Sequence, residues 1–389
     1  MASNPSPLFS PFRLNSIVLE SRFVLPGMQR GWSVAGSPSD RLSDYYVRRV
    51  QGGVGLIITE SVAVDHVSAT RSEIFSKLED ATFDAWKRCV TAVKNAGGNI
   101  IMQLWHEGAI RKDEVDPADP DQTPVTPTLS PSGLMAPDRP RGRAATADEL
   151  EEIKAAFVRS ALLAKAAGAD GVEIHGAHGY FLDQFLWANT NRRTDDYGGP
   201  TIADRARYPA AIARAIRDAC GPDFVISFRF SQWKEIDLRA TIVDSPEELA
   251  ILVGLLRDAG VDVLHISTRR FWEPAWPGSD KTMSHWVREL SGLPVIAVGS
   301  VGLNKDIMET AQGLEADHHV AESVSLLERG LERGDFDLIA VGRGQIGDPD
   351  WVRKAREGRF HDIIPFTREA LGKIEGENDH MEGVNRPKS

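Results

Sequence analysis

The sequence predicts an α/β chain folded as a (β/α)8 TIM barrel, and three observations predict it. Eight short apolar runs recur along the chain, amphipathic stretches separate them, and 389 residues is a length at which such a barrel forms one domain. Each run is apolar nearly throughout, as a parallel strand covered on both faces is, and each is too short to be a buried helix. A doubly wound open sheet is the alternative, but no G-x-G-x-x-G follows the first run.

Taken in order, the runs are RFVL from Arg22, VGLIITE from Val54, NIIMQL from Asn99 and GVEIH from Gly171. FVISFRF from Phe224, VDVLHIS from Val261, PVIAV from Pro294 and DLIAV from Asp337 complete the set. Between them, Phe83, Trp86, Val90 and Val93 mark one apolar helix face; Leu150, Ile153, Phe157 and Ala161 mark a second, and Leu249, Leu252, Val253 and Leu256 a third. Thr146 with Glu149 and Ser245 with Glu248 read as capping boxes, and Pro246 takes the first helical position, where its missing N–H costs nothing. The two longest interruptions, 107–143 and 268–281, follow the third and sixth runs and would emerge where strands end. The first is rich in Pro and Asp and is expected as an ordered excursion or lid, with a mobile surface loop as the alternative. The whole reads as one barrel over residues 1–361 and a polar C-terminal tail over 362–389.

Composition narrows the function. Forty-five basic against fifty-six acidic side chains give a formal charge of −11, which repels phosphate backbones and acidic membrane surfaces. Nucleic acid and membrane are therefore not expected as partners, and a homo-oligomer is left open. Cys89 and Cys220 cannot build a disulfide framework, a four-thiolate zinc site or an iron–sulfur cluster, and a reducing cytoplasm fits them. No apolar run approaches the roughly 18 residues of a membrane span.

Chemistry in a barrel gathers where strands end. The fourth run leads into HGAHGYFLDQFL, which places His175, His178 and Tyr180 within six residues. Two imidazoles and a phenol can give hydrogen bonds to a substrate oxygen and a proton to a neighbouring carbon. The same His-x-x-His could hold zinc with His265 or His106 as a third ligand, though neither sits in a recognisable metal spacing. Gly299 and Ser300 end the seventh run, and Gly342 and Arg343 the eighth; they form either a phosphate cradle or tight turns closing the barrel. Gln103 and Arg229 are polar in otherwise apolar runs. Arg229 needs a strongly accepting partner, which a flavin ring edge or a core carboxylate such as Glu60 or Glu173 would supply. Trp32, Trp105, Trp187, Trp233, Trp272 and Trp276 fall in or just beyond strand ends, which predicts an aromatic mouth for a flat apolar ligand, with Trp105 and Trp272 against it; the alternative is that these rings cap the core.

These residues lie in a chain that, from about Leu8 to Arg359, resembles the Old Yellow Enzyme family of NAD(P)H:flavin oxidoreductases, or ene-reductases. The likeness is carried by LFSPFRLNSIVLESRFVLPGMQR, YYVRRVQGGVGLIITES, NIIMQLWHEG, HGAHGYFLDQFLWANTNRRTDDYGG, FWEP, VGS and AVGRGQIGDPDW. The resemblance implies FMN across the strand ends, with its phosphate at Gly299, Ser300, Gly342 and Arg343. It implies that Gln103 and Arg229 hold the isoalloxazine, while Pro26, Gly27, Met28 and Gln29, with Ser61, line its edge. His175 and His178 then match the pair gripping a carbonyl oxygen, and Tyr180 matches the proton donor. The implied reaction is ping-pong reduction of an α,β-unsaturated carbonyl or nitroalkene by NADH or NADPH, with hydride passing from flavin N5 to the β carbon and a proton from Tyr180 to the α carbon. Where many members carry Thr or Cys beside flavin O4, this sequence has Gln29, a longer side chain whose amide can still donate. A metal-dependent hydrolase using His175 and His178, and a non-catalytic flavin-binding protein, stand as rival readings.

Overall fold

The computed structural model describes residues 6–111, 127–311 and 319–374. Eight parallel strands close into a barrel: β1 Phe23–Leu25, β2 Leu56–Val64, β3 Ile100–Trp105, β4 Gly171–His178, β5 Val225–Lys234, β6 Val263–Ser267, β7 Val295–Val298 and β8 Leu338–Ala340. Each pairs with its neighbour in chain order, and β8 returns to β1 through Ile339 opposite Phe23, so no edge is left within the ring. The eight runs read from the sequence are these eight strands.

Around them lie the helices α1 Asp40–Gln51, α2 Phe83–Asn95, α3 Ala147–Ala166, α4 Phe181–Leu186, α5 Ile202–Cys220, α6 Pro246–Asp258 and α7 Met283–Ser291. They are followed by α8 Ile307–Ala311, α9 Val320–Glu332, α10 Arg343–Gly347 and α11 Trp351–Arg356. The faces expected of α2, α3 and α6 are buried against the strands. Thr146 and Glu149 form the expected reciprocal box. Ser245 accepts from the Glu248 amide as expected, but the Glu248 carboxylate turns to the Asp244 amide instead of closing a box.

Side-chain period along a strand is two, and inside the barrel this stacks layers. The lowest layer is apolar: Val24, Leu56, Ile58, Ile101, Val225, Val263, Ile296 and Leu338 pack with Leu14 and Leu19. Those two leucines belong to an antiparallel hairpin, Phe12–Leu14 with Ile17–Leu19, which plugs the base. Two residues further along β3, β5 and β6 stand Gln103, Ser227 and His265, and with Glu173 of β4 they form a polar layer. Glu173 accepts hydrogen bonds from Gln103 at 2.8 Å and Ser227 at 2.8 Å, and meets His265 Nδ1 at 2.8 Å. Burial pushes this carboxyl up, but the pull of His265, Arg229 and Gln103 outweighs it and holds the carboxylate ionised.

Of the excursion after β3, residues 112–126 lie outside the described residues. The remainder is ordered by short pairings, Leu129–Ser130 with Arg143–Ala144 and Leu134–Ala136 with Arg139–Pro140. Of the polar tail expected over 362–389, residues 375–389 lie outside the described residues; the part before them packs on the barrel. Ile363, Phe366 and Ala370 are buried, the last two against Ile346 with Met28 beside them, so the apolar residues spaced through this stretch act as a strap. Among the described residues no helix is long and apolar enough to cross a membrane.

Candidate active site

A cavity of about 680 Å³ opens at the C-terminal ends of the strands. Cavities that hold small molecules and cofactors run about 300–1,000 Å³. Its floor is the top of the polar layer. Gln103 accepts from Ser61 Oγ at 2.6 Å while donating to Glu173, so both ends of its amide are fixed. Gly27 lies directly on that amide: a Cβ there would fall 2.6 Å from Gln103 Nε2, so only glycine lets the segment after β1 approach so closely. Arg229, two residues beyond Ser227 on β5, donates to the Gly27 carbonyl at 3.3 Å, and its Nε has no hydrogen-bond partner. Burial lowers its pKa, and Glu173 and Glu235 oppose that shift. The core-carboxylate alternative for Arg229 is thus met only at a distance by Glu173. Gln29 donates from Nε2 to the Ser61 carbonyl at 3.1 Å, which turns its longer side chain along the wall.

One end of the cavity is built from the turns after β7 and β8. Ser300 has a left-handed backbone, φ +54°, unusual for a residue with a Cβ. Gly299, at φ +156°, lies where a Cβ would fall 2.6 Å from the Thr268 carbonyl. Arg343 reaches across to Thr310 Oγ1 at 2.5 Å, Ser300 Oγ at 3.3 Å and the Lys305 carbonyl at 2.7 Å. Burial lowers its guanidinium to about 10, so it stays charged at neutral pH.

At the other end His175, His178 and Tyr180 converge. The two imidazole centroids are 5.2 Å apart, and His175 and Tyr180 are 5.4 Å apart. Burial drives both imidazoles down, His175 to about 3, with the Arg229 charge acting the same way, so both rings are neutral. His178 Nε2 meets Ser267 Oγ at 2.8 Å, its amide donates to Ser231 Oγ at 3.0 Å, and its ring lies 4.6 Å from Trp233. Its backbone sits at φ +65°, a conformation that costs a side-chain-bearing residue about 1 kcal/mol or more and fits a site held by its surroundings. Burial pushes the Tyr180 phenol well above its usual value, and Glu235, whose Oε2 accepts from the phenol at 3.4 Å, pushes it further.

The segment carrying these groups is anchored from below. Asp183, in the first turn of α4, accepts from the Gly179 amide at 2.5 Å and pairs with Lys234 of β5 at 2.8 Å, both side chains fully buried. Lys234 also donates to the carbonyls of Ser231 and Gln232. This pair went unread in the sequence; the signal was a lysine closing an otherwise apolar strand and an aspartate inside FLDQFL.

All eleven residues expected at a cofactor, and the His175, His178 and Tyr180 triad, line this one cavity. The aromatic-mouth expectation is corrected: of the six tryptophans only Trp233 lines it. Trp105 stands behind Tyr180 at 5.2 Å, Trp272 packs on Phe271, Trp187 is buried in the core, Trp276 packs on Trp286, and Trp32 covers Arg30 and Arg41. Indole rings near strand ends are large enough to be claimed by the packing between helices first. Lining residues that sequence reasoning missed include Glu235, Ser267, Phe366 and Arg368. Of the histidines offered as a third metal ligand, His265 is engaged with Glu173 and His106 with Ser68 Oγ at 2.8 Å. Among the described residues no three His, Cys, Asp or Glu side chains gather as a metal site.

FMN fits this donor set: an amide and an orphaned guanidinium nitrogen on the floor, and a charged guanidinium with left-handed turns at one end. Residues 7–362 match the NADH:flavin oxidoreductase / NADH oxidase family. The chain is 35% identical over 382 residues to an NADH oxidase of Thermoanaerobacter brockii, covering 95% of this chain and 54% of that protein. It therefore spans about half the length of that relative. To 12-oxophytodienoate reductase 7 of Oryza sativa subsp. japonica it is 32% identical over 370 residues, covering 90% of this chain and 88% of that protein. A structure of morphinone reductase in complex with tetrahydroNAD superposes with a TM-score of 0.75 at 27% identity, covering 95% of this chain and 94% of that one. Fold, cavity and sequence agree: the chain belongs to the NADH:flavin oxidoreductase / NADH oxidase family, the Old Yellow Enzyme group, and its cavity residues fit FMN.

Proposed function

We propose that this protein reduces the C=C bond of α,β-unsaturated carbonyl compounds, and of nitroalkenes, with NADH or NADPH. The observation that carries the reading is the convergence of two neutral imidazoles and one protonated phenol on the cavity that also holds Gln103 and Arg229. Gln103, Arg229, Ser61 and the segment from Pro26 to Gln29 would hold the ring of FMN, and Gly299, Ser300, Gly342 and Arg343 its phosphate. FMN, when bound, supplies the hydride that it receives from the nicotinamide. His175 and His178 donate hydrogen bonds to the substrate oxygen and withdraw electrons from the double bond, and they stabilise the negative charge that grows on that oxygen. Tyr180 gives its proton to the α carbon. A phenol suits this step because it is protonated at neutral pH, whereas an ordinary carboxyl is not.

The test is Tyr180→Phe, followed by rapid mixing in both half-reactions. Reoxidation by a cyclic enone should slow by about a hundredfold, the lower range for a lost general acid, while reduction by the nicotinamide is spared. Equal loss in both half-reactions would overturn the assignment.

A further inference from the structure

The reaction leaves one charged group of the cavity wall without a task. Glu235 follows directly on β5, its amide donates to the His178 carbonyl at 3.2 Å, and its side chain lines the cavity beside His178, Tyr180 and Trp233. Among the described residues its one side-chain hydrogen bond is the long one from the Tyr180 phenol, 3.4 Å, and no Lys, Arg or His of that set forms an ion pair with it. The neighbouring cations are committed elsewhere. Lys234 is spent on Asp183, and Arg229 donates to Gly27 on the floor, acting on Glu235 only through its charge, with no hydrogen bond between them. Arg269 is paired with Asp306, and Arg343 and Arg368 both meet Thr310 at the opposite end. Glu107 adds a second carboxylate near the phenol, with Arg111 close to it. Arg229 on the floor apart, the cavity is polarised: Arg269, Arg343 and Arg368 line one end, and carboxylate, indole and phenol the end where the substrate oxygen is held.

We infer that Glu235 is a recognition point for a cation, and that the preferred substrates are α,β-unsaturated carbonyl compounds carrying a protonated amine. This rests on the reading that His175 and His178 hold the substrate oxygen. An ammonium group brings several N–H donors to a carboxylate that the protein leaves almost unused. The exchange also serves the proton donor. Without substrate the phenolic hydrogen is turned to Glu235; a cation that takes over this carboxylate leaves that hydrogen to the α carbon. An anionic substrate meets repulsion at the same place.

Three phenols test this on the FMN-loaded protein: tyramine as the cation and 4-hydroxyphenylacetate as the anion, matched in size, with unsubstituted phenol as the neutral reference, titrated by the change in the flavin absorption band. Tyramine should bind about tenfold more tightly than the anion at low salt, the scale of one partly screened charge pair. Glu235→Gln should abolish that ratio and leave phenol itself unchanged, and Glu235→Asp should retain the ratio. Binding of all three with no order of charge, or a Gln variant that weakens all three alike, overturns the role of Glu235 alone. Failure of all three to bind the unaltered protein overturns the reading of the imidazole pair, and this inference with it.

Discussion

A neutral imidazole carries a single N–H, so the partner of one ring nitrogen decides what the other can offer. When Ser267 Oγ donates to Nε2 of His178, the ring's own proton sits on Nδ1, which has no hydrogen-bond partner among the described residues. Ser267 is in this sense a positioning residue for the oxygen grip. Ser267→Ala should weaken phenol binding about fivefold to tenfold, near 1 kcal/mol for one hydrogen bond; unchanged affinity in a titration would show that Ser267 does not fix the tautomer. The low pKa values have a separate consequence. A histidine lowered by burial takes up its proton only below its ordinary value of about 6.5, so through neutral pH both rings stay uncharged. The ring-proton resonances of His175 and His178, assigned by replacing each with Asn, should not move between about pH 5.5 and pH 8; a midpoint near 6.5 would contradict the neutral-donor geometry.

At the scale of elements, the loop from β4 into α4 holds its shape through the Lys234–Asp183 pair. Lys234→Met leaves a buried carboxylate with the Gly179 amide alone, and breaking such a pair costs about 3–5 kcal/mol. Denaturant unfolding should show a loss of that size, and reoxidation by enone should slow with it; stability within about 0.5 kcal/mol of the parent, the range of an ordinary surface change, would mean the loop is held otherwise. The strands and the helix faces were legible because each is a local pattern. The polar layer was legible only in part: Gln103 and Arg229 stood out, Ser227 did not, and His265 was read only as a possible zinc ligand, because their partner Glu173 lies on another strand and the ring must close before they meet. Lys234 and Asp183 were missed for the same reason, being 51 residues apart along the chain.

For the molecule as a whole, the stretch past residue 361 completes the wall of the cavity. Arg30 donates to the Leu371 carbonyl at 2.9 Å, Arg41 to that of Gly372, and Arg49 to those of Gln345 and Ile374, so three guanidinium groups fasten the strap by its backbone. Ending the chain after Asp362 removes Phe366 and Ala370 from their apolar contacts and should cost about 2–3 kcal/mol. It also takes away Phe366, Arg368 and Leu371 from the lining, so FMN should dissociate faster, read by recovery of free-flavin fluorescence. Flavin release at the parent rate would show that the strap does not contribute to retention. The sequence hid this strap because its apolar residues are few, and although Ile363, Phe366 and Ala370 stand at helical spacing the run is short and broken by Pro365; the tryptophans misled because proximity to a strand end does not say which side of the wall a ring faces. At the far end of the barrel, Leu14 and Leu19 stop the base with a hydrocarbon layer. The barrel is consequently a well and not a tunnel: whatever enters from the strand ends cannot leave through the base.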